Sequence, residues 1–319
     1  MSLMIKRAVV AIGGNALIKD EEHQAVQDQL RSAQETAELI ADFIALGYEI
    51  VLTHGNGPQV GFILRRSELA FEAGELHFVP LMNCVADTQG AIGYQLQESL
   101  HNALRKRNIQ RTAATLITMV EVDPDDPCFA NPTKPIGVFY SEEKMRSIKE
   151  KHPDWELLYQ EGKGYRRVVP SPEPKRVIEI HAIRAMLKAG LCVIASGGGG
   201  IPVVADAQGN LSGVNAVIDK DLSSALLANE LAADLLIILT AVDHVYLDFN
   251  KPTQRPIDFM TVDQANQYLD EGHFATGSMG PKIRAGIHFL QRGGRRAIIT
   301  SAENLVDAVL RNQGTHIVL

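Results

Sequence analysis

Two lysines in this sequence stand where they could neutralise a phosphoryl group in transfer between two anions. Lys220 lies in the run Asp219-Lys220-Asp221 at a predicted helix start, and Lys282 follows residues 277–281 at another. Phosphoryl transfer has a loose transition state, so catalysis depends mostly on positioning and on neutralising charge. Two lysines and an intervening aspartate, Asp221, have the side chains that this requires. Taken singly, each of these residues is more typical of a solvated helix cap.

Three glycine clusters, each directly after an apolar strand, indicate where the anions would bind. They are Gly13-Gly14-Asn15, Gly55-Asn56-Gly57-Pro58-Gln59 and Gly197-Gly198-Gly199-Gly200. Ligands of open α/β sheets bind at the carboxyl ends of the strands, and glycine lets backbone N–H groups approach an oxyanion there. The clusters together predict a phosphate-type site. The alternatives are a hairpin turn at Asn56-Gly57 and a flexible linker at residues 197–200.

The common nucleotide and metal motifs are missing from the sequence. Residues 55–61 have one residue too many before the last glycine for dinucleotide-binding spacing, and no Walker pattern ends in Gly-Lys-Ser or Gly-Lys-Thr. The histidines lack zincin spacing, so we expect no protein-held catalytic metal. We expect His54 to be a packed residue at a strand end.

Composition limits the class of protein further. The chain has 319 residues, 45% hydrophobic and 22% charged, with a net charge of −7, which is typical of a globular protein and predicts no nucleic-acid partner. Three distant cysteines favour a reducing compartment. The apolar run at residues 8–12 is too short for a secretory signal, and residues 231–242 are too few to span a membrane. We therefore expect a cytoplasmic protein that does not enter membranes.

Short apolar runs alternate with helical patterns, which predicts an α/β fold around a mainly parallel sheet. The predicted helices are residues 26–44, 83–106, 176–189, 222–231 and 279–291. The predicted strands are residues 7–12, 49–53, 112–119, 191–195, 235–240, 244–247, 296–300 and 316–319.

Residues 120–170 interrupt this alternation. The segment holds six of the 14 prolines and the only tryptophan, Trp155. About fifty residues are too many for a structureless loop in a compact domain, so the segment is predicted to be a protruding subdomain or lid. The alternative is a variable surface insertion. We call this segment the excursion.

The chain resembles the carbamate kinases of the amino-acid-kinase family nearly from end to end. The resemblance is carried by residues 11–16, 53–61, 131–137, 197–204, 217–221 and 277–282. It implies an open three-layer αβα sandwich with a protruding subdomain, an acyl-phosphate lobe at 1–210 and a nucleotide lobe at 211–319. It further implies a homodimer that transfers phosphate between carbamoyl phosphate and ADP, with Mg²⁺ held mainly by nucleotide phosphates and water.

The resemblance also implies roles for single residues. Lys220 and Lys282 would bind the transferring phosphoryl group, and Asp221 would orient both. Lys134, on the excursion, would supply the cation that related amino-acid kinases place where this chain has Ile12. The substrate side would comprise Gly13, Gly14, Asn15, Gly55, Asn56, Gly57, Gln59, Gly198 and Gly199. The nucleotide side would comprise Thr240, Val242, Asp243, Gly277, Ser278, Met279 and Gly280.

The chain departs from the family pattern at Met82, where an acidic residue is expected, and at Asp87, where an apolar one is expected. This departure motivates two alternatives. One is a kinase for another small acid or phosphonate, and the other is a nucleotide-binding regulator without catalysis. We expect Cys84, in the same stretch, to be a buried helix residue and not a nucleophile.

Overall fold

The computed structural model of the protein describes residues 6–14, 18, 22–275 and 277–319. The helices are α1 (Val26–Ala45), α2 (Gly57–Glu72), α3 (Leu81–Lys106), α4 (Glu142–Lys151), α5 (Ile180–Lys188), α6 (Lys220–Glu230), α7 (Val262–Asp270), α8 (Met279–Gln291) and α9 (Leu305–Leu310). The strands are β1 (Arg7–Ile12), β2 (Glu49–His54), β3 (Ala113–Thr115), β4 (Met119–Val122), β5 (Lys134–Tyr140), β6 (Glu156–Gln160), β7 (Gly164–Val169), β8 (Pro174–Val177), β9 (Cys192–Ile194), β10 (Ile201–Ala205), β11 (Leu211–Gly213), β12 (Leu235–Leu239), β13 (Val245–Leu247), β14 (Arg255–Ile257), β15 (Phe259–Thr261), β16 (Arg296–Thr300) and β17 (Thr315–Val318).

The central sheet has eight strands in the order β15-β17-β16-β12-β1-β2-β9-β3. The six strands from β16 to β3 are parallel to one another, and β17 runs antiparallel to β16. β1 therefore lies in the middle, paired with β12 on one side and β2 on the other. This arrangement confirms the mainly parallel sheet predicted from the alternation of strands and helices.

Helices cover both faces of this sheet, because successive side chains of a strand point to opposite faces. On β1, Ala8, Val10 and Ile12 belong to a core shared with α1, α3 and α9. Val9 and Ala11 belong to a second core, shared with α5, α6, α7 and α8. The fold is thus the expected three-layer αβα sandwich. Among the described residues, no helix is both long and apolar enough to span a membrane.

A smaller sheet, β11-β10-β4-β8, corrects two predicted elements. The predicted strand at residues 112–119 is divided between β3, in the central sheet, and β4, in the smaller one. The predicted helix at 176–189 starts later, at Ile180, because Arg176 and Val177 pair with β4 instead. Edge pairing with a distant strand overrides the local helical pattern there.

The excursion builds its own three-stranded antiparallel sheet, β5-β7-β6, with α4 beside it. A small core of Tyr140, Ile148 and Trp155 holds it together. It is therefore a structured subdomain, as predicted from its length. Its first strand, β5, begins at Lys134 and packs against α2 of the main body.

Candidate functional site

The predicted site residues converge on a cleft of ≈ 690 Å³ at the carboxyl ends of β1, β2 and β12. Segments from nine parts of the chain form its walls, including the excursion. The predicted residues that line it are Gly13, Gly14, Gly55, Asn56, Gly57, Lys134, Gly198, Lys220, Asp221, Thr240, Gly277, Ser278 and Lys282. The structure therefore brings together residues more than 250 positions apart in the sequence.

Other predicted site residues lie outside the cleft lining. Val242 and Asp243 follow β12, Met279 and Gly280 form the first turn of α8, and Gly199 is buried behind the glycine run. Gln59 is buried on α2, where its side-chain amide donates to Gln29 Oε1 at 3.2 Å. Asn15 lies outside the described residues.

Asp221 joins the two predicted catalytic lysines. One carboxylate oxygen, Oδ1, accepts a hydrogen bond from Lys220 Nζ, and the other, Oδ2, accepts from Lys282 Nζ at 2.9 Å. The carboxylate side chain is 5% exposed, and the lysine side chains are 13% and 15% exposed. Since α6 presents Lys220 and Asp221 and α8 presents Lys282, one buried carboxylate sets the spacing between two ammonium groups.

The electrostatics of this triad follow from its burial. Burial alone would raise the pKa of Asp221, but the ammonium groups of Lys220 and Lys282 outweigh it and lower the pKa to about 2. Burial lowers the pKa of Lys220, and the nearby charge of Lys282 acts in the same direction. Two positive charges against one negative charge leave a local excess of one positive charge. That excess suits an anionic ligand.

Lys134 approaches the cleft from the excursion. Its Nζ donates to Asp219 Oδ2 at 2.9 Å. The other oxygen of Asp219 caps α6 by accepting from the backbone N–H groups of Asp221 and Leu222 at 2.9 and 3.4 Å. Asp219 thus connects the excursion to the helix that carries Lys220 and Asp221.

The glycine run at residues 197–200 is a buried tight turn, which excludes the linker interpretation. Gly198 has φ +66°, and a Cβ there would lie 2.0 Å from Asn56 Nδ2. That amide group is held in turn by Thr88 Oγ1 at 2.8 Å. Gln89, also on α3, donates to the carbonyl of Gly197 at 3.1 Å. Two polar residues of α3 therefore fix the turn.

The glycines after β1 and β2 allow these strand ends to approach each other and the neighbouring strand β12. A Cβ at Gly13 would lie 2.9 Å from the carbonyl oxygen of Leu239, and one at Gly55 would lie 3.0 Å from the amide nitrogen of Gly14. Helix α2 begins at Gly57, so residues 56–57 form a strand-to-helix turn and not a hairpin. His54, which precedes them, is buried, and burial lowers its pKa to about 4. It is therefore neutral at physiological pH.

One wall of the cleft was not predicted from the sequence. Ser32, Glu35 and Thr36 of α1 line it, as does Glu303 after β16. Ser32 and Thr36 are buried polar residues one helical turn apart. Together with Gln29 they form a polar stripe beside the apolar stripe of α1, and this stripe was the signal available in the sequence.

The departures at Met82 and Asp87 lie away from the cleft. Met82 packs near Gly213 of β11, and Asp87 is exposed on α3. Cys84 is buried between them, and burial raises its pKa to about 11, which opposes a role as nucleophile. Neither Met82 nor Asp87 lines the cleft.

Comparison with known proteins places this geometry in context. The amino acid kinase family model matches residues 6–301. The chain is 49% identical over 315 residues to the carbamate kinase-like protein YahI of Escherichia coli, covering 99% of each chain. It is 47% identical over 312 residues to the carbamate kinase of Staphylococcus haemolyticus, covering 98% of this chain and 99% of that one.

Solved structures with a similar fold also include a carbamate kinase. The carbamate kinase of Giardia lamblia bound to AMP-PNP superimposes with a TM-score of 0.92 at 39% sequence identity, covering 99% of each chain. An N-acetylglutamate synthase of Neisseria gonorrhoeae has a TM-score of 0.54 at 17% identity, which shows a shared fold alone.

Proposed function

Because this chain belongs to the amino acid kinase family, we propose that it is a carbamate kinase, which transfers a phosphoryl group reversibly from carbamoyl phosphate to ADP. The observation that carries the proposal is the hydrogen-bonded triad of Lys220, Asp221 and Lys282 in a glycine-lined cleft. The chain is 47% identical over 312 residues to a protein named carbamate kinase. This similarity supports carbamoyl phosphate as the phosphoryl donor. The AMP-PNP bound to the Giardia protein supports an adenine nucleotide as the other substrate.

The proposed reaction is a direct in-line transfer. A β-phosphate oxygen of ADP attacks the phosphorus of carbamoyl phosphate, and the bond between that phosphorus and the carbamate oxygen breaks. ATP and carbamate leave, and no covalent enzyme intermediate forms. Lys220 and Lys282 would neutralise the equatorial oxygens, and Asp221 would hold both ammonium groups in position before substrate arrives, which lowers the reorganisation needed at the transition state.

The two substrates would occupy opposite ends of the cleft. The glycine clusters at Gly13, Gly55 and Gly198 would donate backbone N–H groups to the acyl phosphate, within a lobe at residues 1–210. Thr240, Gly277 and Ser278 would contact ADP, within a lobe at residues 211–319. This division is compatible with the cleft lining, which includes residues of both sets together with the triad.

Lys134 would contribute a third cation on the acyl-phosphate side. Ile12 is apolar, so the end of β1 supplies no positive charge there. Lys134 lines the cleft while anchored in β5, and the backbone around it is restricted by Pro132 and Pro135. Closure of the excursion would also exclude water, which protects an acyl phosphate from hydrolysis.

The residues of the cleft are compatible with a magnesium ion held mainly by nucleotide phosphates. Among the described residues, no group of three or more His, Cys, Asp or Glu side chains could hold a metal. Asp219 and Asp221 are both engaged by lysines. When bound, Mg²⁺ would neutralise phosphate charge and keep most of its water ligands.

The proposal extends to the oligomeric state, the metabolic role and the cellular location of the enzyme. The resemblance supports a homodimer and a place in arginine metabolism, and the sparse cysteines support a cytoplasmic location. Light scattering during size-exclusion chromatography tests the dimer, for which the expected mass is twice 34.9 kDa.

A coupled assay for ATP formation from carbamoyl phosphate and ADP tests the function. Wild-type protein is expected to turn over. Acetyl phosphate serves as an alternative phosphoryl donor to ADP, and a phosphonate with ATP serves as an alternative acceptor in the reverse direction. Tight ADP binding without turnover on any donor would favour a nucleotide-binding regulator. Turnover with acetyl phosphate or the phosphonate, but not with carbamoyl phosphate, would favour a kinase for a different small acid.

A further inference from the structure

Arg167, on β7 of the excursion, has a buried guanidinium with no hydrogen-bonding partner among the residues that the structure describes. The residue is 8% exposed, and its Nη1 is enclosed with no partner among the described residues. None of the ion pairs found in the described ranges involves it. The guanidinium stacks on Trp155, with Cζ 3.5 Å from the ring centroid. A guanidinium carries five N–H donors, and buried donors are nearly always satisfied.

The acidic residues nearby do not supply the missing partner. Glu68 Oε2 already accepts hydrogen bonds from Arg65 Nη1 and from the hydroxyl of Tyr140, both at 3.1 Å. Asp154 is exposed. Burial lowers the pKa of Arg167 to about 10, although the negative charge of Glu68 opposes the shift without a hydrogen bond, and the side chain remains charged at neutral pH. A buried charge without hydrogen bonds destabilises the folded protein by roughly several kcal/mol unless an anion compensates it.

Arg167 forms part of the wall of a second cavity, of ≈ 520 Å³. Trp155 and Arg167 of the excursion form one side, and Phe71, Phe78 and Leu81 form the other, at the end of α2 and the start of α3. This cavity shares no lining residue with the catalytic cleft. Its volume suits a small molecule, and its aromatic walls suit an apolar group.

We propose that this cavity binds a small monocarboxylate that carries an apolar group. The carboxylate would accept hydrogen bonds from the Arg167 guanidinium, whose planar fork matches a carboxylate in two-point contact. The apolar group would lie against Phe71 and Phe78. Asp154 and Glu156 are exposed residues that also line the cavity, and their negative charges oppose a ligand with two or more charges, such as phosphate.

Occupation of this cavity would bridge the excursion and the main body. Arg167 lies in the three-stranded sheet of the excursion, and Trp155 belongs to the excursion's small core. The same sheet contains β5, which begins at Lys134. Phe71 and Leu81 belong to helices of the main body. A bound carboxylate would therefore tie the lid to α2 without touching the substrates.

Trp155 is the only tryptophan of the chain, so intrinsic fluorescence reports on this cavity directly. The experiment titrates wild-type protein with phenylacetate, 3-methylbutanoate and acetate, with neutral phenylacetamide as the isosteric control and inorganic phosphate as the dianionic one. We expect saturable changes with phenylacetate and 3-methylbutanoate, weaker binding of acetate, and no saturation with phenylacetamide or phosphate. Arg167→Gln should weaken phenylacetate binding at least tenfold, roughly the contribution of one charged hydrogen-bonding group.

The wild-type comparison stands even where Arg167→Gln fails to fold. Equal responses to phenylacetate and phenylacetamide, or saturation by none of the three carboxylates, would overturn the proposal. Stronger binding of phosphate than of any carboxylate would contradict the ligand class. The Lys282→Met variant should bind phenylacetate like wild type, and this arm separates the cavity from the cleft and from the proposed kinase activity.

Discussion

Lys134 and Asp219 form an ion pair of 2.9 Å that connects the first strand of the excursion to the amino-terminal cap of α6. The next residues of that helix, Lys220 and Asp221, belong to the proposed catalytic triad. The proposed lid therefore contacts the cap residue of the helix that carries Lys220 and Asp221. This relationship makes the position of the lid and the charge of the cleft testable by single substitutions.

Replacement of Lys134 by alanine should lower turnover with little effect on ADP binding. The reason is that the phosphoryl oxygens on the acyl-phosphate side would lose their cation, whereas the nucleotide side would keep its contacts. Steady-state kinetics and calorimetry with ADP alone measure the two effects. Unchanged turnover would assign Lys134 to the surface.

Closure of the excursion should protect it from proteolysis. Limited proteolysis between residues 120 and 170 should slow in wild-type protein when carbamoyl phosphate is added, and this protection should diminish in Lys134→Ala. Asp219→Asn keeps a good helix cap but removes the ion pair with Lys134, so cleavage without substrate should accelerate while the melting temperature hardly changes. Equal cleavage rates in wild type and Asp219→Asn would show that the ion pair does not hold the lid.

Replacement of Lys282 by alanine should lower turnover by about 10² to 10³, comparable with the loss of one preorganised charge-stabilising donor. Lys251→Ala is the matched control, because Lys251 pairs with Asp248 on the surface, outside the cleft lining. The coupled assay and circular dichroism should show a folded, slow Lys282 variant and an active Lys251 variant. Wild-type turnover in folded Lys282→Ala would remove this lysine from the catalytic set.

Asp221→Asn should reduce turnover more than ADP affinity. The substitution keeps the size of the side chain but removes the charge that positions Lys220 and Lys282. Single-turnover kinetics and ADP titration distinguish the two effects. A collapse of ADP affinity with normal saturated turnover would instead make Asp221 a nucleotide-binding residue.

The stabilising contribution of Asp221 should disappear in acid. Its pKa falls from 3.8 to about 2 on folding, so the unfolded chain takes up the proton first, and stability is lost as the pH falls. This shift corresponds to roughly 2 kcal/mol, present above about pH 4 and roughly half lost at pH 3. Denaturant unfolding of wild type and Asp221→Asn between pH 6 and pH 3 measures it. A constant difference between the two proteins across this range would contradict the assignment.

Gly198→Ala should destabilise the protein by several kcal/mol. A left-handed backbone at a residue with a side chain costs only about 1–2 kcal/mol, so we expect a larger loss than that. Its Cβ would overlap the Asn56 side chain, which has no room to move because Thr88 holds it. Gly209→Ala is the matched control, since Gly209 has φ +85° but open space around its Cβ position. Chemical denaturation of both variants compares them. Equal decreases in the free energy of unfolding for the two variants would mean that the turn at residues 197–200 relaxes to accommodate the added Cβ.

The local pattern of the sequence determined the class of fold and most of its elements. Arg7–Ile12, Met279–Gln291 and Arg296–Thr300 have the bounds expected from apolar runs, proline position and helical spacing. Glycine clusters after strands indicated the cleft, because the carboxyl ends of parallel strands meet at one edge of a sheet. The lysines and the aspartate were predicted from their charge and their place at helix starts.

Only the tertiary structure decided which distant groups meet. Pairing of residues 174–177 with β4 replaced part of a predicted helix by a strand, since a sheet edge 55 residues away in sequence cannot be read from local spacing. The polar stripe of α1 became a cleft wall only because α1 packs beside β1 and β2. The lack of a hydrogen-bonding partner for Arg167 Nη1 among the described residues depends on how the side chains pack, which the sequence alone does not give.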